Sequence, residues 1–190
     1  GNKNFATAYV ENLKKHDFLV FLDSDTLFFR EPTALELPDN YDVAVRPVSW
    51  KTICTSGSPD DPYDNYWHLL CKYCGVDYDV IPYVETFVQG VTIKACYNGG
   101  LVAVRASKGI FSKWRDDLVT VLHKGLEPRK GNYWGTGQTT LLTAIWGITD
   151  RVQILEPVYN YPIKSIDGRQ PLLIFNSSHP LIHIHYHDMN

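Results

Sequence analysis

Apolar residues in this chain fall into short runs, separated by segments in which they recur at helical spacing. The run over 18–22 predicts a short strand that is buried on both faces. Further strands are predicted over 42–48, 101–104, 152–155 and 172–175, with a final extended segment over 181–187. Helices are predicted over 5–15, 63–74, 108–123 and 136–146, the last with Thr136 as its N-cap. Strands that alternate with helices predict an α/β domain, or an α+β one.

Composition is typical of globular proteins. The 190 residues are 44% hydrophobic and 21% charged, which suits one domain with a substantial core. A net charge of −3 without a cluster of basic residues argues against nucleic acid as a partner. No apolar run is long enough for a membrane span and no signal peptide opens the chain, so we expect a cytoplasmic protein.

One group of residues has the spacing of half a zinc site. His68, Cys71 and Cys74 each lie three residues apart, and a complete site would need a fourth ligand from Cys54 or Cys96. The same spacing suits the buried face of a helix over 63–74. We favour the helix over the zinc site. Four cysteines are also too few for a disulfide-rich scaffold.

Two carboxylates follow the first apolar run. In an extended segment Asp23 and Asp25 leave the same face, one pleat apart. Paired carboxylates repel each other unless a cation lies between them, and Mg²⁺ or Mn²⁺ prefers such oxygen ligands. We therefore predict a metal site that serves a phosphate-bearing substrate. The alternative is that both residues only end the strand and cap the next segment of the chain.

Three histidines alternate near the end of the chain. In an extended segment His183, His185 and His187 share one face, and neutral imidazole is a good ligand for transition metals. We predict that one of them joins Asp23 and Asp25 around a single cation. The alternatives are a solvated polar strand and a three-histidine zinc site of a hydrolase.

Together these residues resemble a glycosyltransferase of the GT-A fold, of the family-8-like group that carries a DxD motif. The resemblance covers about residues 3–188. Four segments match motifs of that group in order: Asp23-Ser24-Asp25, Tyr97-Asn98-Gly99-Gly100-Leu101, Gly137-Gln138 and Ile184-His185-Tyr186-His187. The resemblance implies a mixed sheet flanked by helices, and transfer of a sugar from a nucleotide diphosphate sugar to an acceptor hydroxyl. The acceptor would be a carbohydrate, a lipid-linked molecule or a protein.

The resemblance also implies a metal centre. Asp25 would bind Mn²⁺ or Mg²⁺ directly, and Asp23 would bind the cation or the donor ribose. His185, or else His187, would supply a nitrogen ligand. The cation would hold the diphosphate and offset charge on the leaving oxygen.

Four further residues are implied at the sugar side of the site. Asn98 and Gln138 would line the donor sugar and the acceptor as the catalytic positions, while Gly99 and Gly100 would border the bound donor. The group's Asp before this glutamine is replaced by Gly137, which removes a possible contact to the donor sugar.

A complete GT-A domain normally has several strands and helices before the DxD motif, and they form its nucleobase pocket. Only 22 residues precede Asp23, and the chain has no initiator Met. We therefore expect residues 1–190 to form a single glycosyltransferase-like domain that is N-terminally truncated, with the nucleobase-binding half largely absent.

Two other functions fit parts of the sequence. Asp23-Ser24-Asp25-Thr26 also matches the first motif of haloacid-dehalogenase-like phosphatases. Asp23 would then be the nucleophile, Asp25 the acid/base and Ser107 a second motif. The other alternative is a non-catalytic remnant that binds a sugar or nucleotide.

Overall fold

The structure, a computed structural model, describes residues 2–163 and 180–186. The strand predicted over 172–175 and the residue His187 lie outside these ranges. Four α-helices are α1 Asn2–Asn12, α2 Asp64–Cys74, α3 Ile110–His123 and α4 Thr136–Trp146. The strands are β1 Phe18–Leu22, β2 Thr26–Phe28, β3 Val43–Val45, β4 Tyr83–Glu85, β5 Thr92–Lys94, β6 Leu101–Arg105, β7 Val152–Ile154, β8 Tyr161–Pro162 and β9 His183–His185.

Three sheets form the strand framework of the described residues. The main sheet has the order β1-β6-β3-β7, in which β6 is antiparallel to both of its neighbours and β3 is parallel to β7. A smaller sheet has the order β2-β9-β8, and β4 and β5 form a hairpin. Mixed sheets with helices packed on them are α/β in class, as the alternating pattern predicts.

The core lies between the main sheet and helices α3 and α4. Trp114 of α3 is fully buried, and its indole N–H donates to the carbonyl of Gly137 at 2.6 Å. This bond satisfies a buried donor and fixes the first turn of α4 against α3. Among the described residues, no helix is long and apolar enough to cross a membrane.

The prediction that the first strand is buried on both faces is wrong. Strand β1 lies at the edge of the main sheet, and Phe18, Val20 and Leu22 are 41, 43 and 36% exposed. Leu19 and Phe21 point the other way and pack against the core. A continuous apolar run reports that both faces are apolar, but burial also requires a partner on each face.

Helix α1 also turns its apolar side outwards. Its buried residues include Asn4 and Glu11, whereas Phe5 and Tyr9 are 51 and 67% exposed. Both carboxylate oxygens of Glu11 accept hydrogen bonds from the backbone at the start of α3, at 3.0 and 2.7 Å. Polar contacts therefore help to hold α1 on α3, while Phe5 and Tyr9 remain exposed.

Several predicted elements differ in their bounds. The strand predicted over 42–48 is limited to β3, and the hairpin of β4 and β5 was not predicted. The N-cap of α4 is Gly135, with φ 85°, and Thr136 is the first helical residue, so Thr136 does not cap the helix. Glycine adopts this left-handed conformation at little steric cost.

Helix α2 matches its prediction closely. Cys71 and Cys74 are free thiols on its buried face, and burial raises the pKa of each to about 12. His68 stacks on Tyr78 instead, with ring centroids 3.8 Å apart. Their spacing thus reflects helix packing, and among the described residues the histidine and cysteines do not group as metal ligands.

Candidate functional site

Backbone hydrogen bonds bring the early aspartates to the late histidine. The amide of Asp23 donates to the carbonyl of Gly100 at 2.9 Å, because the end of β1 meets the start of β6. The amide of Tyr186 donates to the carbonyl of Asp25 at 2.9 Å, and β2 runs antiparallel to β9. Asp23 and Asp25 thus lie in the turn between two sheets, which corrects the expectation that they share one face of a strand.

Three side chains converge at this turn. Nε2 of His185 lies 3.1 Å from Oδ1 of Asp25 and 3.8 Å from Oδ2 of Asp23. One ligand atom from each residue lies within 4.8 Å of the other two, which is close enough for one cation to contact all three. The imidazole is 2% exposed and the carboxylates are partly open, so two oxygens and a nitrogen face one accessible point. This donor set fits Mn²⁺, and Mg²⁺ through its oxygens.

Gly100 makes room for the imidazole. A Cβ atom at Gly100 would lie 2.3 Å from Cε1 and 2.7 Å from Nδ1 of His185. At Gly99 a Cβ atom would lie 3.6 Å from Trp114 and from Nζ of Lys3, which is ordinary contact. The two neighbouring glycines therefore differ: Gly100 is required sterically by the histidine, and Gly99 is not.

Lys3 is a site residue that the sequence did not reveal. Its ammonium group lies 3.2 Å from Oδ1 of Asp23 and donates to the carbonyl of Gly99 at 3.1 Å. It also lies 5.3 Å from the ring centroid of Phe21 and 6.0 Å from that of Trp114, within cation–π range. The only local signal is a lysine at the first turn of a helix, which is too common to have indicated this contact.

Asn98 lies next to Gly100, whereas Gln138 lies on helix α4 beside Cys96. The side-chain oxygen of Asn98 accepts from the amide of Gly100 at 2.8 Å, so Asn98 shapes the turn that enters β6. Gln138 lies in the first turn of α4, and its amide nitrogen lies 3.8 Å from Sγ of Cys96. Trp114 links the two segments, since it touches Gly99 and binds the carbonyl that precedes Gln138. Their predicted roles toward sugar and acceptor stay predictions.

The second histidine of the series has a different environment. His183 is fully buried, stacks on Phe28 at 4.3 Å and accepts a hydrogen bond at Nδ1 from the amide of Asn160 at 3.1 Å. Burial lowers its pKa to about 4, helped by the charge of Arg46. Of the alternating histidines, His183 and His185 are described, and of these two only His185 faces the aspartates. This arrangement argues against a three-histidine centre. His187 lies outside the described residues.

The second motif of the phosphatase hypothesis lies far from the first. Ser107 follows the far end of β6, whereas Asp23 lies beside the near end at Gly100. Five strand residues separate the two ends by roughly 17 Å. A nucleophile and its partner motif need to meet at one phosphate, so Ser107 does not serve as a second motif here.

Comparison with protein-family models identifies a family for this chain. A family model described as "Rhodobacterales glycosyltransferase domain" matches residues 1–145. The chain belongs to this glycosyltransferase family. No curated protein matches the chain significantly.

Two solved structures have a similar fold. The bifunctional glycosyltransferase WbbM is 20% identical, with a TM-score of 0.58 over 100% of this chain and 32% of its own. The glycosyltransferase GlyE of Streptococcus pneumoniae TIGR4 is 18% identical, with a TM-score of 0.53 over 95% of this chain and 36% of its own. The chain thus spans about a third of these proteins. The predicted GT-A fold class is confirmed by these structures, and membership of a glycosyltransferase family does not favour the phosphatase.

Proposed function

We propose that this glycosyltransferase domain transfers a sugar from a nucleotide diphosphate sugar to an acceptor hydroxyl, with Mn²⁺ or Mg²⁺ at Asp23, Asp25 and His185. The observation that carries this proposal is the convergence of three ligand atoms within 4.8 Å of one another, because two carboxylate oxygens and an imidazole nitrogen form a donor set that suits these cations. A bound cation would supply Lewis-acid stabilisation of negative charge on the leaving diphosphate.

The chain's own residues would then have distinct tasks. Asp25 and His185 would hold the cation, since their ligand atoms already lie 3.1 Å apart. Lys3 would keep Asp23 oriented through its ion pair, and its charge would attract the diphosphate. Gly100 would keep the imidazole in place by leaving room for its ring.

The sugar side of the site follows from the neighbouring turn. We infer that Asn98 and Gln138 border the transferred sugar and the acceptor, and that the backbone of Gly99 and Gly100 approaches the donor. Support comes from their position, since Asn98 and Gly100 share a hydrogen bond and Gly100 contacts the imidazole. Carbohydrate, lipid-linked and protein hydroxyls all remain acceptors to be tested.

We also propose that residues 1–190 are part of a larger glycosyltransferase domain. Support comes from the exposed apolar side chains of β1 and the outward apolar face of α1, for which the described residues supply no cover. Strands added at the free edge of β1 would cover this surface, and the nucleobase would bind there. A version extended by its upstream gene sequence should bind less of a hydrophobic dye and unfold at higher temperature. Unchanged dye binding in that version contradicts this proposal.

The sugar-transfer function is tested by offering a panel of nucleotide diphosphate sugars. We expect release of nucleoside diphosphate from at least one donor in the presence of Mn²⁺, and its loss with EDTA or in Asp25→Asn. Release that persists in EDTA at the same rate would contradict the proposal. Tight donor binding without release, also in the extended version, would instead identify a non-catalytic binding domain.

A further inference from the structure

A second cluster of polar side chains lies beside the candidate metal site without using it. Arg46 follows β3, and its carbonyl accepts a hydrogen bond from the amide of Asn98 at 2.9 Å. Its guanidinium is 2% exposed, and Cζ lies 4.6 Å from the ring centroid of Phe87. Nη2 donates to Ser49 at 2.9 Å, but Nε and Nη1 have no hydrogen-bond partner among the described residues.

No carboxylate of the described residues pairs with Arg46. Arg105 offers a comparison, because it also lies over a phenylalanine ring, that of Phe18 at 4.9 Å. Unlike Arg46, Arg105 has a carboxylate of Asp42 within 3.7 Å. A buried guanidinium without an anionic partner is costly, and burial lowers the pKa of Arg46 to about 9.

Two further residues belong to this cluster: His183, on whose pKa the charge of Arg46 acts, and Asn160, whose backbone amide binds the His183 ring. Because Nδ1 of His183 accepts from the Asn160 amide, its ring proton lies on Nε2, which has no partner among the described residues. Both polar atoms of the Asn160 side chain are buried and likewise without a partner in the described part of the chain. Phe87 joins the group, since it touches Arg46 and lies 6.1 Å from the ring of Tyr161, next to Asn160.

We propose that Arg46, His183 and Asn160 bind an anionic group, a carboxylate or a phosphate, carried by a substrate of this enzyme. A guanidinium, an imidazole N–H and an amide NH₂ are all donors, and an anion would both accept from them and balance the charge of the guanidinium, which a neutral acceptor would not. This proposal rests on the proposed sugar-transfer function for the identity of the substrate.

The position of the cluster suits such a substrate. His183 and His185 lie two positions apart in β9, which corresponds to roughly 7 Å along the strand. Asn98 connects the two places as well, since it bonds to Arg46 on one side and to Gly100 on the other. An anion at Arg46 would therefore lie about one sugar ring from the cation. Phe87 is itself only partly buried, and movement of its ring would admit the group.

The direct test measures anion binding without metal or nucleotide. Thermal unfolding is followed in EDTA at constant ionic strength with inorganic phosphate, with galacturonate and with neutral galactose. We expect phosphate or galacturonate, but not galactose, to raise the unfolding temperature of the wild type and of Asp25→Asn. In Arg46→Gln the affinity for the anion should fall by roughly tenfold to a hundredfold. Arg105→Gln, the matched control, should keep it.

A second readout separates ligand binding from a structural role. Without anions, Arg46→Gln should be at least as stable as the wild type, because it removes a buried charge for which the described residues supply no carboxylate. Loss of stability together with an unchanged anion response would overturn the proposal, as would no anion response in the wild type. Because these assays contain no metal, their failure leaves the proposed sugar transfer standing.

The source of the anion is distinguished with Mn²⁺ present. If the donor sugar carries the acid, Arg46→Gln should weaken binding of UDP-glucuronate and leave UDP-glucose unchanged. If the acceptor carries it, neither nucleotide sugar should be affected while galacturonate or phosphate binding is lost. Equal weakening of both nucleotide sugars with retained anion binding would contradict the assignment.

Discussion

A methyl group added at Gly100 gives a sharp test of how the candidate metal site is assembled. The Cβ atom of Gly100→Ala would lie 2.3 Å from Cε1 of His185. An ordinary carbon–carbon contact is about 3.5 Å, so the imidazole would have to move by roughly 1.2 Å. Metal ligands tolerate displacements of about 0.2 Å, and His185 is held in β9 between two strands.

The expected result is a protein that still folds but binds the metal ion more weakly. Displacement of a residue that orients a ligand typically costs about tenfold to a hundredfold in metal affinity. We expect a loss of this size for Mn²⁺ by isothermal titration calorimetry, and a destabilisation of about 1–3 kcal/mol from overpacking. Backbone strain adds little, because Gly100 lies outside the left-handed region.

Gly99→Ala is the matched control for this experiment. Its Cβ atom would meet Trp114 and Lys3 at 3.6 Å, which requires no movement. We expect Gly99→Ala to bind Mn²⁺ within about twofold of the wild type. Equal affinity of Gly100→Ala and Gly99→Ala would refute the inference that the glycine positions the imidazole.

Three further predictions concern the surroundings of the site. Glu11→Gln weakens the cap of α3, so the free energy of unfolding by urea should fall by about 1–2 kcal/mol; an unchanged midpoint contradicts the role of this carboxylate. Burial opposes ionisation of Asp61, but Lys51 and nearby backbone amides lower its pKa to about 2. Because the pKa of Asp61 is lower in the folded than in the unfolded protein, its charge stabilises the fold at pH values above the unfolded pKa. Asp61→Asn should therefore lower the free energy of unfolding by roughly 2 kcal/mol at pH 7, and this loss should shrink as the pH falls from about 4 to 2. A loss that does not change with pH speaks against the ion pair. Lys3→Met should tighten Mn²⁺ binding several-fold and weaken binding of a nucleoside diphosphate, because it removes a positive charge from beside Asp23; weaker binding of both refutes that explanation.

Local patterns were sufficient where neighbouring residues determine structure. Helical spacing located α2 and α3 within a few residues, since apolar periodicity reports which face is buried. The association of a late histidine with Asp23 and Asp25 was also predicted, because a carboxylate pair and alternating imidazoles both suit a metal ion. The family resemblance indicated His185. That these residues lie together is shown by the structure, while their role as ligands is still to be measured.

Long-range packing accounts for the features that the sequence did not reveal. Lys3 reaches Asp23 only because Glu11 anchors α1 on α3, more than 90 residues further along the chain. The steric role of Gly100 depends on a strand from the far end of the protein. Arg46 was predicted inside a strand, and the lack of a carboxylate beside it in the described part of the chain follows from tertiary contacts. Exposure of β1 likewise depends on which element lies beside it.

Titration with Mn²⁺, followed by electron paramagnetic resonance, tests the shared cation most directly. We predict that the wild type binds one ion, that Asp25→Ala and His185→Ala each abolish this binding, and that Cys71→Ser on the buried face of α2 leaves it unchanged. Unaltered Mn²⁺ affinity in a folded Asp25→Ala or His185→Ala protein would show that no cation is held between the aspartates and the histidine.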